Sequence, residues 1–193
     1  MIIPNNINVN PQLFDKLIKQ LRLRLELNLT WLNNAFGSAY KISEPNKKNE
    51  LSYPAIYVGK GEYLSMLPDE SFGNYSFVEF EDPQLYDKTV PGKHILSAKC
   101  AIIFWFNFDT IFDDDLIYHI EDVKKQILDV IAKPGLLTDG RLTVVKIITK
   151  PEGIFNKYKV SQINSQFLLY PYAGLRFECE VSIFDKCTIL IGD

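Results

Sequence analysis

Two histidines and three cysteines are all that this 193-residue chain offers among the side chains that most often bind transition metals or act as nucleophiles. His94 and His119 are far apart, and neither has a Cys or His partner at the short spacings of zinc sites. The cysteine count is odd, which argues against a disulfide framework. Cys100 and Cys179 fall on the apolar parity of predicted strands. They read as small buried hydrophobes in a reducing compartment, with Cys187 unassigned. A basic excess is also missing: 21 Lys and Arg face 24 Asp and Glu, for a net charge of −3. That removes the electrostatic case for sequence-specific nucleic-acid binding, and the Lys157 and Lys159 cluster is too thin to restore it. No apolar run approaches the roughly 18 residues of a membrane span, so no membrane partner is expected. The first residues, Met1-Ile2-Ile3-Pro4-Asn5-Asn6, lack the basic and apolar regions of a signal peptide, so none is expected. The glycosylation patterns at Asn28-Leu29-Thr30 and Asn74-Tyr75-Ser76 then read as chance matches. Gly59-Lys60-Gly61 is too short for a phosphate loop, and no G-x-S-x-G elbow occurs.

What the chain has is apolar and aromatic substance. It is 47% hydrophobic and 13% aromatic, a globular composition, and long enough to bury a core without staples. The clearest pattern lies at 175–183. Leu175, Phe177, Cys179, Val181 and Ile183 alternate with Arg176, Glu178, Glu180 and Ser182, which predicts a strand with one face on a core. The charged face mixes both signs and suits water or a polar neighbouring subunit. Residues 96–108 predict the main core strand, apolar at every even position. Its odd face turns apolar at Ala101, Ile103 and Trp105, so part of it should be covered on both sides.

Asn10-Pro11 predicts a helix start, and Phe14, Leu17, Ile18, Leu21, Leu25, Leu29, Leu32 and Phe36 form its stripe. Leu23, Leu27 and Trp31 make a second stripe, to be covered by the same domain or by a neighbouring subunit. Asp113-Asp114-Asp115 opens a second helix with Leu116, Ile120, Val123, Ile127 and Ile131 on its stripe, and Lys133-Pro134-Gly135 stops it. Residues 43–52 read as a solvated loop. Residues 53–58 read as a short strand, with Pro54 placing it at an edge or a strand start. Residues 77–80 are a weak strand inside a long irregular stretch, and 142–148 form a β-branched strand. Residues 154–160 and 167–169 read as a hairpin or arm, and 189–191 as a short closing strand. The expected architecture is one α+β domain over 1–193. It has a mostly antiparallel sheet, two long helices packed on one face, a loop insertion at about 60–94 and an arm at about 150–168.

The chemistry-bearing residues each have a plain structural account. Asp115 and Asp122 flank His119 at helical spacing, as on a solvated face with local charge pairing. The run from Asp113 to Asp115 suits a helix cap better than a hard cation. Glu79, Glu81 and Asp82, near Asp69 and Glu70, read as a solvated acidic loop. Tyr170-Pro171-Tyr172 with Trp105 suits core or interface packing better than a ligand site. No catalytic, metal or cofactor-binding residue is assigned, no cofactor is expected, and the chain is not expected to be an enzyme.

The 96–108 strand, the helix after its acidic start and the closing 175–183 strand follow the element order of a known group. With its Tyr170-Pro171-Tyr172-Ala173-Gly174 lead-in, the chain resembles the tail terminators and tail-completion proteins at the neck and tail of bacteriophages. The likeness covers most of the chain in element order and carries no signature of chemically constrained residues. It implies a virion structural protein made in the host bacterial cytoplasm. It also implies that the chain partners itself in a ring, contacts neighbouring neck or tail proteins, and lets DNA pass through the ring. Candidate interface residues are Leu23, Leu27 and Trp31 on the first helix, Tyr63, Phe72, Tyr75 and Tyr86 in the loop insertion, and Phe155 and Tyr158 in the arm. The other reading is a bacterial small-molecule-binding or enzymatic α+β domain with a closed pocket.

Overall fold

A computed structural model describes residues 11–45, 50–82, 84–87, 93–113, 118–133, 135–138, 140–158, 163 and 165–186. Its elements in chain order are α1 (Leu13–Asn28), β1 (Asn34–Pro45), β2 (Glu50–Gly59), β3 (Glu62–Ser65), β4 (Tyr75–Phe80), β5 (Leu85–Asp87), β6 (Lys93–Asn107), α2 (Ile120–Ile131), β7 (Gly140–Ile148), α3 (Pro151–Ile154) and β8 (Tyr172–Lys186). The strands form one eight-stranded sheet in the order β3-β2-β1-β4-β6-β8-β7, with β5 pairing β6. Every pairing is antiparallel except β1 with β4. The fold is α+β, and the three strands expected to share a sheet, β6, β8 and β7, are neighbours at one end of it.

The alternation read in the sequence sets the two faces. On one face, Ala98, Cys100, Ile102, Phe104 and Phe106 of β6 meet Leu175, Phe177, Cys179, Val181 and Ile183 of β8. Phe14, Leu17, Leu21 and Leu25 of α1, with Val123, Ile127, Val130 and Ile131 of α2, close over them. Both helices therefore pack on the same face. The opposite face carries Tyr75 and Phe77 of β4 with Ala101, Ile103 and Trp105 of β6. Met66 and Phe72 from the β3–β4 connection, and Ile154, Phe155, Tyr158, Ile163 and Phe167 from the arm, cover it. The main strand is thus buried on both sides.

Several expectations are corrected. The first helix ends at Asn28, and the stripe beyond it belongs to other structure. Leu29 and Leu32 still join the helix-side core, which kept the period alive, but Phe36 lies on β1 and faces the opposite core. Residues on either side of 46–49 are not a loop, because Ile42↔Tyr53 through Pro45↔Glu50 stay in ladder register. Pro54 lies inside the sheet, where β2 runs on past the last β3 pair, Ala55↔Ser65, and its carbonyl accepts from the Met66 amide. The irregular stretch after Gly61 holds β3, β4 and β5. Among its described residues the arm forms no hairpin: they hold the short helix α3, with Pro at its start, and a 3-10 turn at Ser165–Leu168. The second helix begins at Ile120 behind His119, with Glu121 and Asp122 in its first turn. Asp113 precedes it, while Asp114, Asp115 and Leu116 lie outside the described residues, as do Cys187 and the 189–191 strand.

Candidate functional site

The most unusual chemistry lies beneath the arm. Arg176 is fully buried on the second face of β8. Register places Ile103 beside it on β6, and the next pair along that face is Ala101 with Glu178. Ala101 also pairs with Glu79 of β4. Its small side chain leaves room for the Arg176 guanidinium to reach across β6, where Nη1 donates to Glu79 Oε2 at 2.8 Å. The same nitrogen donates to the Ile154 carbonyl of α3 at 3.3 Å. Arg176 Nε lies 3.6 Å from Glu178 Oε1. Tyr158 faces Glu79, and burial together with that carboxylate pushes its phenol well above the usual tyrosine range. Just past the end of β4, Lys157 pairs with Glu81 at 2.9 Å. A hydrogen bond from Lys157 holds the Glu81 carboxyl below its ordinary value. Three arm residues, Ile154, Lys157 and Tyr158, thus converge on two glutamates and one arginine.

This cluster overturns two expectations. Glu79 is no solvated loop acid but a buried strand residue, and Arg176 faces neither water nor a neighbour. Sequence reading missed the pair because its partners are 97 positions apart. The available signal was Ala101, a small residue on a strand face otherwise filled by Ile103 and Trp105. Chemically, the cluster holds two cations, Arg176 and Lys157, each matched by a carboxylate, with Glu79 Oε1, Arg176 Nε and Nη2 and Trp105 Nε1 lacking a hydrogen-bond partner among the described residues. It has no nucleophile and no paired acid and base at a surface opening. It ties the arm to the sheet.

The candidate interface residues separate into two groups. Phe72, Tyr75, Phe155 and Tyr158 are buried in the second-face core and cannot reach a neighbour from there. Phe72 and Tyr75 pack edge-on, and Phe155 packs on Trp105. These four aromatics of the two extensions serve the packing of their own domain. Trp31 is half-buried: its ring packs on Phe106, and its Nε1 donates to Gln126 of α2 at 2.9 Å. Within that stripe Trp31 is thus covered by its own domain, while Leu23 and Leu27 are 48% and 79% exposed among the described residues. Tyr63 and Tyr86 are also exposed. Tyr63 packs edge-on against Tyr57, which is exposed as well, and Tyr40 lies exposed on neighbouring β1. Sequence reading did not single out Tyr40 or Tyr57.

His119 stacks on Phe112, and its Nδ1 lies 2.9 Å from Asp122 Oδ2. Tyr170 stacks on Phe108, and the Tyr172 hydroxyl donates to Glu70 Oε1 at 2.9 Å. Among the described residues no three His, Cys, Asp or Glu side chains are placed to hold a metal ion, and no helix is long and apolar enough to cross a membrane. A half-open groove of about 450 Å³ runs between the end of α2 and β7, lined by Ile131, Leu136, Leu137, Arg141, Leu142 and Val144 among others. Compared with known proteins, the chain matches no family model and no curated sequence.

Proposed function

We propose that this chain is a virion structural protein, a subunit of a homo-oligomeric ring at the neck or tail of a bacteriophage, of the terminator, completion or connector type. It performs no catalysis. The observation that carries the reading is the pair Leu23 and Leu27, left in water on a helix whose other side is fully buried. Among the described residues the core closes without them, which leaves their apolar surface to a neighbouring copy. The exposed tyrosines of β1, β2 and β3 add a second contact area on the outer sheet. Element order supports the same group of proteins. In this reading the partners are copies of the chain and adjoining virion proteins, and the place of action is the virion.

The second reading, a small-molecule-binding or enzymatic domain, has the groove beside β7 in its favour, since ligand sites span about 300–1,000 Å³. Among the described residues, however, its polar lining consists of Lys133, Arg141 and Thr143, with no acid or histidine beside them. Light scattering on the purified protein separates the two readings. The ring reading expects a ring-sized particle that Leu27→Asp abolishes. A monomer whose melting temperature rises with a small ligand supports the second reading.

A further inference from the structure

Cys100 and Cys179 stand directly opposite one another in the ladder that joins β6 to β8. Both lie in the helix-covered core, 5% and 2% exposed, and both are free thiols. The pairs on either side on that face, Ala98↔Val181 and Ile102↔Phe177, are apolar and hold the strands in register. Opposed residues of an antiparallel pair have Cα atoms about 4.5–5.5 Å apart, within the roughly 4.4–6.8 Å span of disulfides. Their Cβ atoms stand about 4.5–5.5 Å apart, against about 3.5–4.5 Å in a disulfide, so the bond closes with a small inward movement of the strands. The Cys179 thiol donates to the Phe177 carbonyl at 3.4 Å, and the facing Cys100 thiol, ahead of burial, raises its pKa well above the usual thiol range.

We propose that Cys100 and Cys179 form a redox modification site, a latent staple across the central strands that is closed by a low-molecular-weight disulfide such as oxidised glutathione. One thiolate attacks a sulfur of the oxidant, breaking its S–S bond and releasing one small thiol. The second cysteine then attacks the mixed disulfide, forming the Cys100–Cys179 bond and releasing the other small thiol. The protein gives up two protons and two electrons, and the oxidant takes both. Burial and the raised Cys179 pKa slow the first attack in the closed fold, so the staple forms as the sheet folds or opens locally. The wide Cβ spacing leaves the bond strained and readily reduced, unlike a structural disulfide. The site is independent of the ring reading.

The test refolds the reduced full-length protein in glutathione buffers of rising oxidised fraction. Free thiols are then alkylated and the folded monomer is mapped by non-reducing peptide mass spectrometry. The expected result is loss of two titratable thiols per chain, a single Cys100–Cys179 link, and full reversal by excess reductant. Cys187→Ser, run in parallel, removes the third thiol and keeps the link. Should that variant fail to fold, the map of the unaltered chain still decides. Folded monomer with both thiols alkylated in the most oxidising buffer overturns the proposal, as do links made through Cys187 instead.

Discussion

Arg176 carries the largest electrostatic burden of any residue in the described fold. Its guanidinium is out of water and depends on Glu79 for compensation. A buried pair of this kind adds little net stability against an apolar replacement, yet breaking it leaves one buried charge alone, at a cost of about 3–5 kcal/mol. Arg176→Met and Glu79→Gln are each expected to lower unfolding free energy by roughly that amount in urea titrations. The double change Arg176→Met with Glu79→Leu recovers most of the loss, and equal losses for single and double variants would contradict the pairing. Glu81 makes a weaker statement of the same kind. Its folded pKa is depressed from 4.5, chiefly by the Lys157 hydrogen bond. Its contribution is therefore present above that value and is lost as pH falls through the lower folded value. Because the pair is partly in water, the effect is small, about 0.2–1 kcal/mol. Glu81→Gln should lower stability near neutral pH by about that 0.2–1 kcal/mol, leave it little changed at pH 2, and so flatten that part of the acid limb measured between pH 5 and 2.

At the scale of elements, what was legible followed from one rule, and what was hidden broke it. β6, β8 and α2 each place apolar residues at one period against one core, and Leu175, Phe177, Val123 and Ile127 read true. β1 was masked because Leu29, Leu32 and Phe36 prolong the helical spacing of α1 although the chain has already turned into the sheet. The arm was misread for a different reason. Ile154, Phe155 and Tyr158 look like strand residues in isolation, and only the second face of β6 gives them a surface to cover. The arm and β4 are therefore expected to be protected in the free protein. Hydrogen exchange should show slow amides at 154–158 and 75–80 in the monomer, and fast exchange there would contradict the two-sided core. For α1, Leu27→Asp places a charge on a position already in water, so unfolding free energy should change by less than about 0.5 kcal/mol. Assembly, scored by light scattering, should be lost. Unchanged assembly would remove Leu27 from the interface.

As a whole molecule, the protein is a three-layer arrangement in which helices cover one sheet face and loop-derived segments cover the other. Among the described residues, exposed large apolar side chains lie on the outer side of α1, on the β1–β3 end of the sheet, and at scattered positions such as Leu85, Tyr118, Val145, Leu169 and Phe184. Edge strands β3 and β7 close the two ends of the sheet, and β7 carries a register irregularity between Val144 and Lys146 that blunts edge pairing. A ring subunit needs this combination: a closed interior, with contact surface displayed on separate sides for unlike faces of successive copies. The measurement that tests the central claim most directly is immunoelectron microscopy of tailed particles whose genome encodes this chain, using antibody raised against the folded protein. The account predicts label confined to the neck or tail, in several copies per particle. Particles that carry no label, while the protein stays free in the lysate, would contradict it.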